Sequence, residues 1–236
     1  MLRALAILAL AMPASADTLY SSNGPFGGWF GLWGADVSTS QSVAQRFTCA
    51  IDADLSTASF WIMNNAEQPG APIVVTIEAD VGTGSSSRPS GTIIESWPIA
   101  AQASGWNPVQ QTVTSRARPQ LRAGAKYWFV LRSSAPAGSS PVWNFASSGQ
   151  GYTCITLPNG TTWQSSGLSA GLCMGVTGTP SSPADLDNDG DVDGADLGAM
   201  LTAWGSCGTC VADLNADGVV DGADLGHMLT AWSSGS

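Results

Sequence analysis

Tyr127-Trp128-Phe129-Val130-Leu131-Arg132 is a run of large and β-branched residues with no glycine or proline inside it. In an extended chain successive side chains point to opposite faces, so Tyr127, Phe129 and Leu131 share one side and Trp128, Val130 and Arg132 the other. Ile73-Val74-Val75-Thr76-Ile77-Glu78 repeats the pattern. These two lie within a set of β-prone runs at 43–50, 57–64, 72–80, 91–99, 109–115, 125–133, 141–147, 151–157 and 170–177, separated by Gly, Pro, Ser and Asn. No amphipathic helical period interrupts them. This predicts two packed antiparallel sheets, a jelly-roll-like β-sandwich over 17–178, with Trp61 and Trp128 in its core.

Outward from the sandwich the chain changes character at both ends. Met1-Leu2-Arg3, the apolar run Ala4–Met12 and the small residues Ala14-Ser15-Ala16 form a secretory signal pattern over 1–16, so the mature chain is expected to begin at Asp17 and to be secreted, extracellular or attached to a cell surface. The apolar run is shorter than the roughly 20 residues a membrane-spanning helix needs. At the other end lies the acidity. The formal net charge is −10, yet residues 1–179 hold 8 basic and 8 acidic side chains, while 180–236 hold 10 Asp and no base. Such a balance offers nothing to a phosphate backbone, which excludes nucleic acid as a partner and points to cations.

The acids of the tail are spaced rather than scattered. Residues 184–204 and 212–232 agree at 17 of 21 positions, an internal repeat of period 28. In the first copy the candidate ligands are Asp185, Asp187, Asp189, Asp191, Asp193 and Asp196; in the second they are Asp213, Asn215, Asp217, Val219, Asp221 and Asp224. Counted from the first Asp, these occupy positions 1, 3, 5, 7, 9 and 12 of an EF-hand-type loop, with Gly190 and Gly218 at position 6 for the sharp turn. Position 7 offers only its carbonyl, so Asp191 and Val219 can differ. Ca²⁺ is a hard cation that takes six to eight oxygens, and two ions are expected. Each loop runs into an amphipathic helix, Leu197, Met200, Leu201 and Trp204 in one and Leu225, Met228, Leu229 and Trp232 in the other, each set expected on one buried face.

Two loop-helix units without a leading helix, over 184–236 after a linker at 179–183, resemble a type I dockerin domain. The resemblance implies a cohesin-like protein partner and an assembly engaged with polysaccharide. It places partner contacts at loop positions 10 and 11, Gly194, Ala195, Gly222 and Ala223, and along the helices at Leu201, Thr202, Leu229 and Thr230. The polar residues common at those loop positions are missing, so the partner is a differently built, more hydrophobic cohesin or something internal to this protein.

The sandwich loosely resembles secreted choice-of-anchor domains, through Leu19-Tyr20, Asn23-Gly24-Pro25, Ala44-Gln45-Arg46-Phe47-Thr48, Phe60-Trp61 and Val176-Thr177-Gly178-Thr179-Pro180. That likeness implies fold and location but no chemistry. The sandwich contains no His, which removes His-based nucleophile triads. We therefore read it as non-catalytic, with a glycosidase that uses two of its carboxylates, or a purely structural surface protein, as the alternatives. Trp29, Trp33, Trp106 and Trp163 lie in Gly/Ser/Asn-rich stretches and are the candidate sugar-stacking platform for a polysaccharide. Arg116, Arg118, Arg122, Lys126 and Arg132 form a basic cluster that either meets an anionic glycan or solvates a sheet edge. Of five cysteines, Cys207 and Cys210 are expected to form a small disulfide, and Cys154 with Cys173 is the preferred second pair, Cys49 with Cys173 the alternative.

Overall fold

The computed structural model describes residues 16–22, 24–25, 34–64, 70–102, 104–105, 107–137, 141–147, 151–156, 162–166 and 171–232. The signal segment falls almost wholly outside them. The chain divides into two compact units, with Asp17–Gly178 as one and Thr179–Ser236 in the other. Among the described residues no helix is long and apolar enough to cross a membrane.

Among the described residues the first unit is built of β-strands with one short 3-10 turn, Gly84–Ser86. Its strands are β1 (Asp17–Ser21), β2 (Gly34–Asp36), β3 (Val43–Thr48), β4 (Ala53–Met63), β5 (Pro72–Val81), β6 (Arg88–Ala100), β7 (Val109–Thr114), β8 (Gln120–Leu121), β9 (Lys126–Ser133), β10 (Val142–Asn144), β11 (Tyr152–Thr156), β12 (Trp163–Ser165) and β13 (Met174–Pro180). One sheet runs β1-β13-β4-β10-β2, with β7 and β8 also pairing with the long β4; the other runs β12-β11-β3-β9-β5-β6. The expected antiparallel sandwich is what forms.

Strand β9 shows why. Tyr127, Phe129 and Leu131 enter the core between the sheets, together with Ile73, Val75 and Ile77 of β5. Phe129 meets Phe60 of the opposite sheet at 5.7 Å between ring centroids and Trp143 at 5.4 Å. Two buried indoles of this core satisfy their N–H groups on backbone: Trp143 donates to the Cys173 carbonyl and Trp97 to that of Thr114, each at 2.8 Å. A lone buried donor would cost about 1–3 kcal/mol.

The other side of β9 is buried as well, which the alternation alone does not predict. Trp128 and Val130 form a second cluster with Ala44 and Cys154 on the outer face of the six-stranded sheet, with Tyr152 and Trp163 packed against it. The segment after β5 covers this face. Ser87 and the Trp128 indole both donate to Asp80 Oδ1, and Tyr152 donates to the Ser85 carbonyl at 2.6 Å. Trp61, by contrast, is only half-buried.

The cysteines correct one expectation. Cys207 and Cys210 are disulfide-bonded with Cα atoms 5.9 Å apart, but Cys154 and Cys173 are not joined; both are buried thiols, as is Cys49. Sequence neighbours here belong to different layers. Cys154 sits on β11 in the outer-face cluster, whereas Cys173 precedes β13 in the opposite sheet and its Sγ donates to the Phe145 carbonyl at 3.2 Å. Burial pushes their thiols up, Cys154 to about 11 and Cys173 to about 12.

The second unit contains α1 (Gly194–Thr202), β14 (Gly205–Ser206), β15 (Val219–Val220) and α2 (Gly222–Ala231), with β14 and β15 paired. Its core consists of three repeat-related pairs, Ala184 with Ala212, Val192 with Val220, and Met200 with Met228. Leu197 and Leu225 pack on it half-buried, but Leu201, Trp204, Leu229 and Trp232 are exposed at 54%, 48%, 56% and 39%. The single buried face expected for each helix is thus split. Two helices of nine and ten residues enclose a core one methionine wide, and nothing else in the described unit covers the second apolar row.

Candidate metal centre

Each loop is bent by the same two left-handed residues. Asn188 and Ala216 at position 4 have φ of 60°, and Gly190 and Gly218 at position 6 have φ of 95° and 91°. The turn presents amides inward, and the loop acids accept them. Gly190 N–H donates to Asp185 Oδ2 at 2.9 Å and Gly218 N–H to Asp213 Oδ2 at 2.8 Å. Position 3 accepts the amide of position 5, and position 5 accepts that of position 7: Asp189 to Asp187, Asp191 to Asp189, Asp217 to Asn215, and Val219 to Asp217, at 2.9–3.2 Å.

The result in the first loop is convergence. Asp185, Asp187 and Asp189 each bring a carboxylate oxygen within 4.8 Å of the others. Three like charges so close repel unless a cation or protons stand between them, and the donor set is oxygen alone. The second loop has an amide in the middle: Asn215 Nδ2 donates to Asp217 Oδ2 at 3.0 Å, which removes one negative charge and one repulsion.

Positions 9 and 12 tie the loop to its helix. Asp193 and Asp221 are the N-caps of α1 and α2, accepting the amides of Ala195 and Ala223 at 2.8 Å, and Asp196 and Asp224 complete capping boxes. Asp196 and Asp224 have no exposure. Asp196 Oδ1 accepts from Leu186 and Asp187 at 2.6 and 3.2 Å and Oδ2 from Asp193 at 2.8 Å; Asp224 repeats the set with Leu214, Asn215 and Asp221. These amides, that of Asp221 foremost, hold Asp224 below its ordinary range against the opposing effect of burial. An ionised carboxylate has about four lone-pair sites, so three amides leave room for a cation at position 12. The residues present therefore fit a hard, oxygen-seeking ion.

The positions expected to meet a partner all face outward. Gly194, Ala195, Leu201, Thr202, Gly222, Ala223, Leu229 and Thr230 are exposed. Trp204 and Trp232, which their helical spacing assigns to the interior, are exposed as well.

On the sandwich, Trp29, Trp33 and Trp106 lie outside the described residues. Trp163 opens β12, half-buried, with the Arg132 guanidinium 5.8 Å from its ring. Of the basic cluster, only Arg132 lies in this outer-face group; Arg116, Arg118 and Arg122 belong to the connections flanking β8, and Lys126 opens β9. Two buried glutamates are committed to structure. Glu78 accepts from Arg132 at 2.6 Å and from Thr76 at 2.8 Å, while Glu95 accepts from Ser115 at 2.6 Å and the Arg116 amide at 2.7 Å. In comparisons with known proteins, no family model and no curated protein matches the chain.

Proposed function

We propose that this is an exported docking protein: its C-terminal unit binds two Ca²⁺ ions and presents a dockerin-like apolar surface to a cohesin-like partner, and the β-sandwich is the non-catalytic module so tethered. The observation that carries the reading is the coincidence, in both repeats, of an all-oxygen loop with an exposed Leu on the helix it caps and an exposed Trp just past that helix's end. Bound calcium would screen the six acids of the first loop and the four of the second, fixing the loops and, through Asp193 and Asp221, the first turns of α1 and α2. With the helices set, Leu201, Thr202, Leu229 and Thr230 form a rigid surface of the kind that lowers the ordering cost of association.

Calorimetric titration of the chelator-treated full chain with CaCl₂, followed by circular dichroism, tests the metal half. Two equivalents of binding with a gain of helix support it. No heat and an unchanged spectrum at millimolar calcium would overturn it. Capture of a cohesin-like domain in calcium and its release by chelator tests the other half.

A further inference from the structure

The outer face of the six-stranded sheet carries a cleft of about 660 Å³, within the range of about 300–1,000 Å³ typical of small-ligand sites. One wall is the start of β6, with Arg88, Ser90 and Gly91; the other is Thr162 and Trp163, and Arg132 of β9 lies between them. These residues are distant in sequence, and β12 and β6, at opposite ends of the strand order, meet across the outer face of the sheet.

Arg132 is held from beneath. Its Nη1 donates to Glu78 Oε1 at 2.6 Å and Thr76 Oγ1 at 3.1 Å, and Glu78, wholly buried, uses Oε2 to accept the Gly91 amide at 3.2 Å. Both bonds of Arg132 engage one nitrogen, so Nε–H and the Nη2 hydrogens remain as a fixed fork on a side chain 36% exposed. The pair Arg132–Glu78 is neutral as a unit. Arg88 adds a positive charge of its own: it donates to the Ser86 carbonyl at 3.1 Å and, among the described residues, meets no carboxylate. The Trp163 ring, its centroid 5.8 Å from the Arg132 guanidinium, supplies apolar surface beside these cations, and Ser90 supplies a hydroxyl that also accepts the Thr92 amide at 3.0 Å.

From this geometry we propose that the cleft binds a carboxylate-bearing sugar, a uronate unit of an acidic glycan. The carboxylate pairs with the Arg132 fork and Arg88, as planar guanidinium groups favour. The apolar face of the sugar ring lies on Trp163, and the Ser90 hydroxyl meets a ring hydroxyl. A neutral sugar leaves Arg88 without a counter-charge, and a bare inorganic anion leaves the indole and most of the volume unused. The site lies within the sandwich and stands or falls separately from the docking reading.

The test is calorimetry and tryptophan fluorescence on the calcium-loaded full chain, titrated with a short oligouronate, its neutral parent sugar, a sulfated oligosaccharide and inorganic phosphate. The oligouronate should bind saturably, at least about tenfold tighter than the neutral parent, and weaken several-fold as salt rises from about 50 to 500 mM. Arg88→Gln should weaken binding about tenfold while the sandwich melts as before, and Trp163→Ala, which also uncovers the outer-face cluster and so lowers the melting temperature, should weaken binding by a similar factor. Arg132→Lys keeps the charge that Glu78 requires but removes the fork, and should also weaken binding. No saturable signal with oligouronate up to about 10 mM, well beyond the affinity one bidentate pair supports, would overturn the proposal. Equal binding of the neutral parent, preference for sulfate or phosphate, or indifference to Arg88→Gln would do so too.

Discussion

Ala216 is the one place where the two repeated acidic loops share a backbone conformation but not a residue suited to it. At φ of 60° its Cβ crowds the following carbonyl, a conformation that costs an L-residue roughly 1–2 kcal/mol and that Asn tolerates better. The first loop has Asn188 there, at the same φ, with its amide 3.5 Å from the Leu186 carbonyl. Both positions are exposed, so exchanging the side chains removes no packing. Ala216→Asn should therefore stabilise the C-terminal unit by about 0.5–1 kcal/mol, and Asn188→Ala should destabilise it by a similar amount. Ala216→Gly should gain less, because glycine also widens the unfolded ensemble. For a unit this small, a change of that size moves the melting temperature by about 3–6 °C. Differential scanning calorimetry of the full chain in saturating calcium reads it directly, on the transition that chelator shifts. Shifts of the same sign for Ala216→Asn and Asn188→Ala would refute the reasoning, since conformational strain requires opposite signs.

Three further outcomes follow from the same geometry. Leu201→Asp and Leu229→Asp should leave calcium binding and helix content within about 0.5 kcal/mol of the parent, as exposed substitutions do, yet abolish partner capture, whereas Met200→Ala should destabilise the unit by about 2–5 kcal/mol. Asp187→Asn makes the first loop resemble the second; without metal it should raise helix content by relieving repulsion, and calorimetry should show weaker binding of one calcium ion. Cys154 and Cys173, pushed up from 9.0 to about 11 and about 12, stay protonated in the fold while the unfolded chain ionises. Their contribution to stability is intact below pH 9 and is lost between pH 9 and about 12, and denaturant titrations should show Cys→Ala variants flattening that decline.

Local patterns were legible in the sequence, and non-local ones were not. The strands β5 and β9 are long enough for a two-residue period to declare itself, and the EF-hand spacing of the acids needs only 12 consecutive residues. By contrast β2, β8 and β12 are two or three residues long and have too few positions to show a period. Their place comes from the strands beside them. The cysteine pairing failed for a related reason: adjacency in sequence says nothing of which sheet a strand joins, and Cys154 and Cys173 went to opposite layers. The cleft of Arg88, Arg132 and Trp163 was equally hidden, because it depends on β6, β9 and β12 reaching one face.

The helix faces carry a different lesson. A spacing of three and four residues shows that side chains share a side; whether that side is covered depends on how much protein there is to cover it. Met200 and Met228 fill the shared core, and Leu201, Trp204, Leu229 and Trp232 are left outside. The four positions at which the repeats differ, Asp187/Asn215, Asn188/Ala216, Asp191/Val219 and Ala199/His227, are all exposed or half-buried, so the surface of the unit accepts change. At the exposed pairs Leu201/Leu229, Thr202/Thr230 and Trp204/Trp232 the copies are identical. Packing within the unit does not require that identity, because these side chains lie outside its core. An apolar surface kept in both copies fits the proposed docking onto a second protein, and the Leu201 and Leu229 substitutions separate that proposed role from folding.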